Sequence, residues 1–549
     1  MQKLLRKNAG GITWYVPENE AHNIGDKLEA LDDPLSEDIA TVHKKGRRKV
    51  FASLRVTAGG EELYLKVFRL TGLSLKLKHL FLRSKAMREL MTGLTAVDRG
   101  VPAVVPLAAG EKKRMGLIEE CYVLLKKIDS AVNLRDFLGR EDILQRQRSR
   151  VIESLGRLAR KSHENGIFQT DFSLNNFLLK DPGDPVPIIY IIDFERTYVR
   201  GPLSKGMRDW TLAKLNRVGG GFSITDKLRF LIEYVKDDKQ KMEKPAFSAW
   251  INGLDRQTHW ILRRDALRIH GTCVRSGRGY KSYTEGSLRA YFLKDHNVEE
   301  LKDLAMDAGA GVGYEDEPAM EVSALTHDGQ SARFNIARSR KKIVKDGVET
   351  ELDIYRFIPG RQGPTAARPA MVAWQAANAL IKANVPVSQV VAAIETGEGP
   401  SYRGHLVVKR PAGLKYLGMA VGESLPDPGR TRALLWHSGR LLARLHNHGV
   451  MSAPVSAGDI GVRESPSGRM TPYLMRPFRF TMDMTGDGVS AEDRRSDLEG
   501  LELFLRGFLG KGEVEFLRRS YRLHSSNIPS HGETPCSYTP GIWSTFRFL

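Results

Sequence analysis

Gln169-Thr170-Asp171-Phe172-Ser173-Leu174-Asn175-Asn176, followed by the apolar run Ile188-Ile189-Tyr190-Ile191-Ile192 and then Asp193-Phe194-Glu195, is the stretch whose reading carries the fold. It places a short polar loop after a helical pattern at 143–165, and then an apolar strand that delivers an acid at its end. Asp171 in such a loop is suited to accept or orient a hydroxyl proton. Asn176 offers a neutral oxygen ligand for magnesium, and Asp193 a carboxylate for a magnesium ion bridging nucleotide phosphates.

Upstream, Leu63-Tyr64-Leu65-Lys66-Val67-Phe68 alternates as a strand, and its ammonium would reach a nucleotide's phosphates. Glu89 follows on a predicted basic helix at 80–99, where it would pair with Lys66 and hold the long side chain in place. Short strands around 50–69 and through 125 complete a small sheet-plus-helix lobe. The region from 143, with helices again at 208–235, reads as a larger and mainly helical one.

This ordered set resembles the kinase-like superfamily, and within it the lipopolysaccharide core sugar kinases, the Kdo and heptose kinase family, over residues 40–235. The resemblance implies ATP and Mg2+ as cofactors. Lys66 would contact ATP phosphates with Glu89 supporting it, Asp171 would be the catalytic base, and Asn176 and Asp193 would hold the metal. Asp209 would brace the catalytic loop. The acceptor implied is a sugar hydroxyl of the lipopolysaccharide inner core, with an atypical serine/threonine protein kinase and a non-catalytic nucleotide-binding scaffold in envelope biogenesis as alternatives. Three departures stand out: no G-x-G-x-x-G precedes Lys66, the loop reads Gln169-Thr170-Asp171 rather than His-Arg-Asp, and Asp193-Phe194-Glu195 replaces Asp-Phe-Gly.

A second copy is legible downstream. Ala86-Met87-Arg88-Glu89-Leu90 through Gly100-Val101-Pro102 lies without gaps on Ala370-Met371-Val372-Ala373-Trp374 through Asn384-Val385-Pro386. Glu164-Asn165-Gly166 matches Asn447-His448-Gly449, and Met207-Arg208-Asp209-Trp210 loosely matches Arg495-Ser496-Asp497-Leu498. Carried across, the alignment puts Arg356 at Lys66, Ala373 at Glu89, Pro454 at Asp171, Asp459 at Asn176 and Pro477 at Asp193. If that alignment slips, Asp459, Asp483 and Asp487 remain as acids. The expected fold class is α+β, two tandem protein-kinase-like bilobal domains with the second degenerate. The catalytic domain spans 40–245, a helical linker 246–314 with a glycine-rich joint at 309–314, a pseudokinase domain 315–525 and a tail 526–549.

Bulk properties agree with this reading. At 549 residues the chain exceeds what one core usually supports. An apolar fraction of 41% and a charged fraction of 27% are ordinary for a globular protein. No apolar run approaches the roughly 20 residues a membrane-spanning helix needs. Three cysteines without close spacing argue against a disulfide framework or structural zinc, and the first residues show no secretory pattern, so a cytoplasmic location is expected. The net charge of +19 calls for anionic partners. With no zinc-finger spacing or RRM signature, nucleic acid is not the expected one. Lys76, Lys78, Arg83, Lys85 and Arg88 interleave with Leu73, Leu75, Leu77, Leu80, Phe81 and Leu82, which suits a peripheral contact with an inner-leaflet membrane surface.

Overall fold

Period-two alternation builds the first sheet. Leu63, Leu65 and Val67 turn to one side, where they pack with Trp14, Leu54 and Leu124 out of water, and Tyr64, Lys66 and Phe68 turn to the other. The computed structural model describes residues 3–525 except 30, 32, 37, 47, 56–61, 141, 218–221, 237–242, 278, 308–316, 326–330, 346–347, 360–367, 399–400, 453–454, 465–469, 477–478 and 483–488. The chain divides into two units between Asp255 and Arg256.

The first unit runs β1 (Leu4–Ala9), β2 (Ile12–Pro17), α1 (Ala21–Glu29), β3 (Ala40–Lys45), β4 (Lys49–Arg55), β5 (Glu62–Arg69), α2 (Leu73–Phe81), α3 (Lys85–Asp98), β6 (Pro106–Arg114) and β7 (Leu117–Lys126). There follow β8 (Val132–Asn133), α4 (Leu134–Gly139), α5 (Gln145–Glu164), β9 (Ile167–Gln169), β10 (Phe177–Lys180), β11 (Ile188–Ile191), β12 (Thr197–Val199), α6 (Lys205–Asn216), α7 (Ile224–Tyr234) and α8 (Lys244–Thr272), which contains the division. Its large sheet has the strand order β1-β2-β6-β7-β5-β4-β3, with β11-β10-β8 and β12-β9 as small sheets below. A helical core of Ile152, Leu155, Phe172, Phe177, Ile191 and Phe194 carries the small sheets.

The second unit continues with β13 (Tyr280–Glu285), β14 (Leu288–Leu293), α9 (Val298–Asp307), β15 (Glu317–Leu325), β16 (Ser331–Lys345), β17 (Val348–Pro359), α10 (Pro369–Lys382), β18 (Gln389–Thr396) and β19 (Arg403–Lys409). It closes with β20 (Leu414–Tyr416), α11 (Leu417–Ser424), α12 (Pro428–Asn447), β21 (Val450–Ser452), β22 (Ile460–Glu464), β23 (Met470–Leu474), β24 (Phe480–Met482), α13 (Ala491–Leu505) and α14 (Lys511–His524). Its sheets are ordered β13-β14-β18-β19-β17-β16-β15, β20-β22-β23 and β21-β24. Strand for strand, this is the topology of the first unit.

Three features differ from the sequence reading. The helix expected at 80–99 is two, because the Ser84 side chain caps Met87 N at 3.1 Å while Leu82 is extended between them. Residues 4–29, ahead of the expected boundary at 40, supply two strands and a helix to the first unit. Residues 280–293, read as linker, are two strands of the second large sheet. The joint at 309–314 and the tail at 526–549 lie outside the described residues. Among the described residues, no helix is long and apolar enough to cross a membrane.

Candidate active site

Helix α3 brings Glu89 to Lys66. Its inner face is Ala86, Glu89, Leu90 and Gly93, and a Cβ on Gly93 would come within 2.8 Å of the Pro106 ring, so the helix lies close on the sheet. Lys66, only 5% exposed, donates through Nζ to the fully buried Glu89 carboxylate and, at 2.7 Å, to the Ile192 carbonyl. Asp193 Oδ1 stands 3.8 Å from the same ammonium. Burial opposes the charge on Lys66, but the carboxylates of Glu89 and Asp193 outweigh it and hold its pKa above the ordinary lysine value.

The polar loop is pinned by alternate residues. Phe172 and Leu174 are buried in the helical core, which leaves Asp171 and Asn175 exposed. Asn176 Nδ2 donates to the Asp171 carbonyl at 2.7 Å, and its Oδ1 has no hydrogen bond among the described residues. Pairing of Phe177 with Ile191 between β10 and β11 lets Ile192 N donate to the Asn176 carbonyl at 3.1 Å, which sets Asn176 beside the residue preceding Asp193. Gln169, in the place of the expected histidine, donates through Nε2 to the Asp193 carbonyl at 2.7 Å. The loop and the end of the strand are therefore locked together. Burial favours the neutral acid at Asp193, yet Lys66 and Lys49 hold its carboxyl below the ordinary value. An ionised carboxylate and an amide oxygen without a hydrogen bond are the donor types that would hold a magnesium ion. The structure thus brings Lys66, Glu89 and Asp193 into contact, with Asn176 beside them and Asp171 on the loop that Asn176 and Gln169 tie to the strand end.

Three members of the cluster had no site role in the sequence reading, which placed Lys85 among the membrane-facing cations. Lys49 Nζ lies 3.3 Å from Asp193 Oδ2 and 3.5 Å from Glu195 Oε2, and Lys85 Nζ lies 2.7 Å from Glu195 Oε1. Burial and the neighbouring Asp193 favour the neutral acid at Glu195, and Lys85 and Lys49 hold its carboxyl below the ordinary value. The signal was available in alternation: β4 pairs Phe51 with Lys66, so Lys49, two residues along, shares the face of Lys66. Asp209 does not brace the loop. Its two oxygens take the Trp250 indole N–H at 2.8 Å and Lys205 Nζ at 2.7 Å.

A family model described as the lipopolysaccharide kinase (Kdo/WaaP) family matches residues 40–234 and 363–473, together more than half of the chain. The chain belongs to the lipopolysaccharide kinase (Kdo/WaaP) family. Among its relatives, a 3-deoxy-D-manno-octulosonic acid kinase of Photobacterium profundum is 29% identical over 118 residues, which is 22% of this chain and 46% of that protein. An enzyme of the same name from Xylella fastidiosa is 29% identical over 136 residues, 25% of this chain and 48% of its own. The chain spans about half the length of the curated relatives it matches. A solved structure titled WaaP in complex with acyl carrier protein aligns with 18% identity and a TM-score of 0.32, over 44% of this chain and 98% of that one.

The Kdo/WaaP match at 363–473 falls in the second unit, where strand pairing gives a register that a gapless alignment does not. Leu63 lies opposite Lys126 and Leu352 opposite Lys409, and matching bulges, where Pro106 faces Leu125 and Val390 faces Val408, make these pairs counterparts. Counting along the strands, Tyr355 rather than Arg356 occupies the Lys66 position. Its hydroxyl donates to the Met475 carbonyl at 3.3 Å, as Lys66 does to Ile192. Met475 N donates to the Asp459 carbonyl at 2.8 Å, as Ile192 N does to Asn176, so Arg476 rather than Pro477 follows in the Asp193 position. Asp459 is buried and holds Arg479 at 2.9 Å, with Arg476 at 3.9 Å. Asp497, matched to Asp209, does what was expected of that residue: it accepts Val455 N at 2.8 Å and contacts His446 Nε2 at 3.0 Å. Pro454, Pro477, Asp483 and Asp487 lie outside the described residues.

Proposed function

We propose that the chain is an ATP- and magnesium-dependent kinase that phosphorylates a sugar hydroxyl of the lipopolysaccharide inner core, acting from its first unit. The observation that carries this is the buried Lys66 held jointly by Glu89, the Ile192 carbonyl and Asp193. Bound magnesium would supply charge neutralisation between the β- and γ-phosphates. Asp193 and Asn176 would hold it through the Asp193 carboxylate and the unshared Asn176 Oδ1. Lys66 keeps a full positive charge on the phosphate side, positioned by Glu89 so that its long side chain loses little freedom on binding. Asp171, exposed at the loop tip, would orient the acceptor hydroxyl and take its proton as the new oxygen–phosphorus bond forms and the γ-phosphoryl bond to the departing ADP breaks. Gln169 keeps the two acids in register by tying their segments together.

The domain reading that goes with this is two tandem kinase-like domains, one active and one degenerate. Repetition of the sheet order supports it, as do Tyr355, Ala373 and Arg476 at the lysine, glutamate and metal-ligand positions. The acid at the Asn176 position, Asp459, is neutralised by arginine.

Transfer of labelled terminal phosphate from ATP to core lipopolysaccharide tests the activity. Asp171→Ala should lower kcat by about 10²–10⁴, the usual worth of a positioned general base, and Asp193→Ala at least as much. Undiminished transfer by either variant would reject these roles, and label on protein instead of glycolipid would move the acceptor class.

A further inference from the structure

Helix α2 buries none of its residues. Leu73, Leu77, Leu80 and Phe81 recur at the spacing of one helical face and are all exposed, Phe81 at 89%. The other side of the helix is tied down, with Lys76 Nζ on Glu119 at 3.0 Å, so the apolar face is turned outward by construction. A second element brings another apolar side chain to the same region. The β6–β7 hairpin carries Lys112, Lys113 and Arg114 into Met115, which is 92% exposed at the tip, and a cavity of about 300 Å³ between the two elements is lined by Phe81 and Arg83 from one and Lys113 and Gly116 from the other.

The cations around this surface are Lys78, Arg83, Lys112, Lys113 and Arg114. Its carboxylates are already engaged: Glu119 holds Lys76, and the buried Glu111 lies 3.6 Å from Lys113. An apolar stripe ringed by more cations than carboxylates fits the headgroup and acyl boundary of an anionic leaflet, and fits a second copy of this basic chain poorly. Chain continuity adds a purpose. The helix passes through residues 82–84 into α3, whose first residue Lys85 binds Glu195 and which carries Glu89, so whatever holds α2 holds the lobe bearing the phosphate clamp.

We propose that the exposed face of α2, with Met115 of the β6–β7 hairpin, is a docking surface for an anionic lipid bilayer. The proposal goes beyond the kinase reading and is measured without ATP or acceptor, so the two fail separately.

The full chain is floated with vesicles of phosphatidylglycerol and phosphatidylcholine in equal parts, and with phosphatidylcholine alone. Binding is expected to the first and not the second, and to weaken as salt is raised. Phe81→Glu with Met115→Glu should weaken it about tenfold or more, by removing two insertable groups and adding repelling charge, while the thermal midpoint stays unchanged because both side chains are already in water. Equal binding to both vesicle types, undiminished binding of the double variant, or a dimer that the double variant dissociates without loss of lipid binding would each overturn it.

Discussion

Removing Glu89 would strand the Lys66 ammonium among apolar side chains, since Ile192 offers it only a carbonyl and Asp193 stands at 3.8 Å. Glu89→Ala is therefore expected to cost about 3–5 kcal/mol in urea unfolding at neutral pH, the usual penalty for breaking a buried pair from one side. Combining it with Lys66→Met should recover much of that stability but no activity. Histidine sets the acid limit. Burial, helped by Arg208, pushes the His163 imidazole from 6.5 down to about 3, and the ring is held neutral between the Tyr234 hydroxyl at 2.9 Å and the Thr211 hydroxyl at 2.6 Å. Between those two values the unfolded chain binds a proton that the folded chain refuses. Stability is thus complete above the unfolded value and falls as pH drops toward the folded one, by about 2 kcal/mol at pH 5 from this residue. His405, depressed to about 4 mainly by burial, acts in the same sense. The difference in urea midpoint between pH 7 and pH 5 should shrink in His163→Gln; an unchanged difference would show that the ring protonates in place.

Helix crossings impose glycine where propensity alone would favour alanine. Gly156 lies in α5 where a Cβ would come within 2.8 Å of the Phe230 carbonyl of α7, and Gly439 lies in α12 where one would meet the Leu517 carbonyl of α14 at 2.5 Å. Alanine in a helix interior ordinarily gains up to about 1 kcal/mol over glycine. Here it must push a neighbouring helix backbone aside, so Gly156→Ala and Gly439→Ala are each expected to destabilise by about 1–3 kcal/mol in chemical denaturation. The break between α2 and α3 belongs to the same scale. The run of basic and apolar residues reads as one helix until the Ser84 side chain is seen to satisfy Met87 N, a cap that ends one helix and starts the other at the residue before Lys85.

Across the whole chain, repeated topology and unrepeated chemistry predict a single nucleotide site. Calorimetric titration with MgATP should saturate at one nucleotide per chain, and Lys66→Ala should abolish it altogether, because Tyr355 offers no cation at the matching position. At a hundredfold excess over Kd, nucleotide should stabilise the first unit by about 2.7 kcal/mol. A second equivalent, or binding that survives Lys66→Ala, would assign a live site to the second unit.

The residues of the first candidate site were legible in the chain because their placement depends on residue type and local period. Asp171 and Asn176 sit in a loop where polar and apolar residues alternate, and Lys66 lies on a strand whose alternation is plain. Phe172 and Leu174 are apolar at the intervening positions that must be buried. Long-range register was not legible. Arg356 and Pro477 were one residue away from the positions they were expected to fill, and a slip of one along a strand turns a side chain to the opposite face. Bulges in β6–β7 and β18–β19 set that register through hydrogen bonds between segments far apart in sequence. Glu195 stands for the same limit, since its role comes from two lysines brought to it by β4 and α3. The identity of a charged residue is local information, and the charge that answers it arrives only with folding.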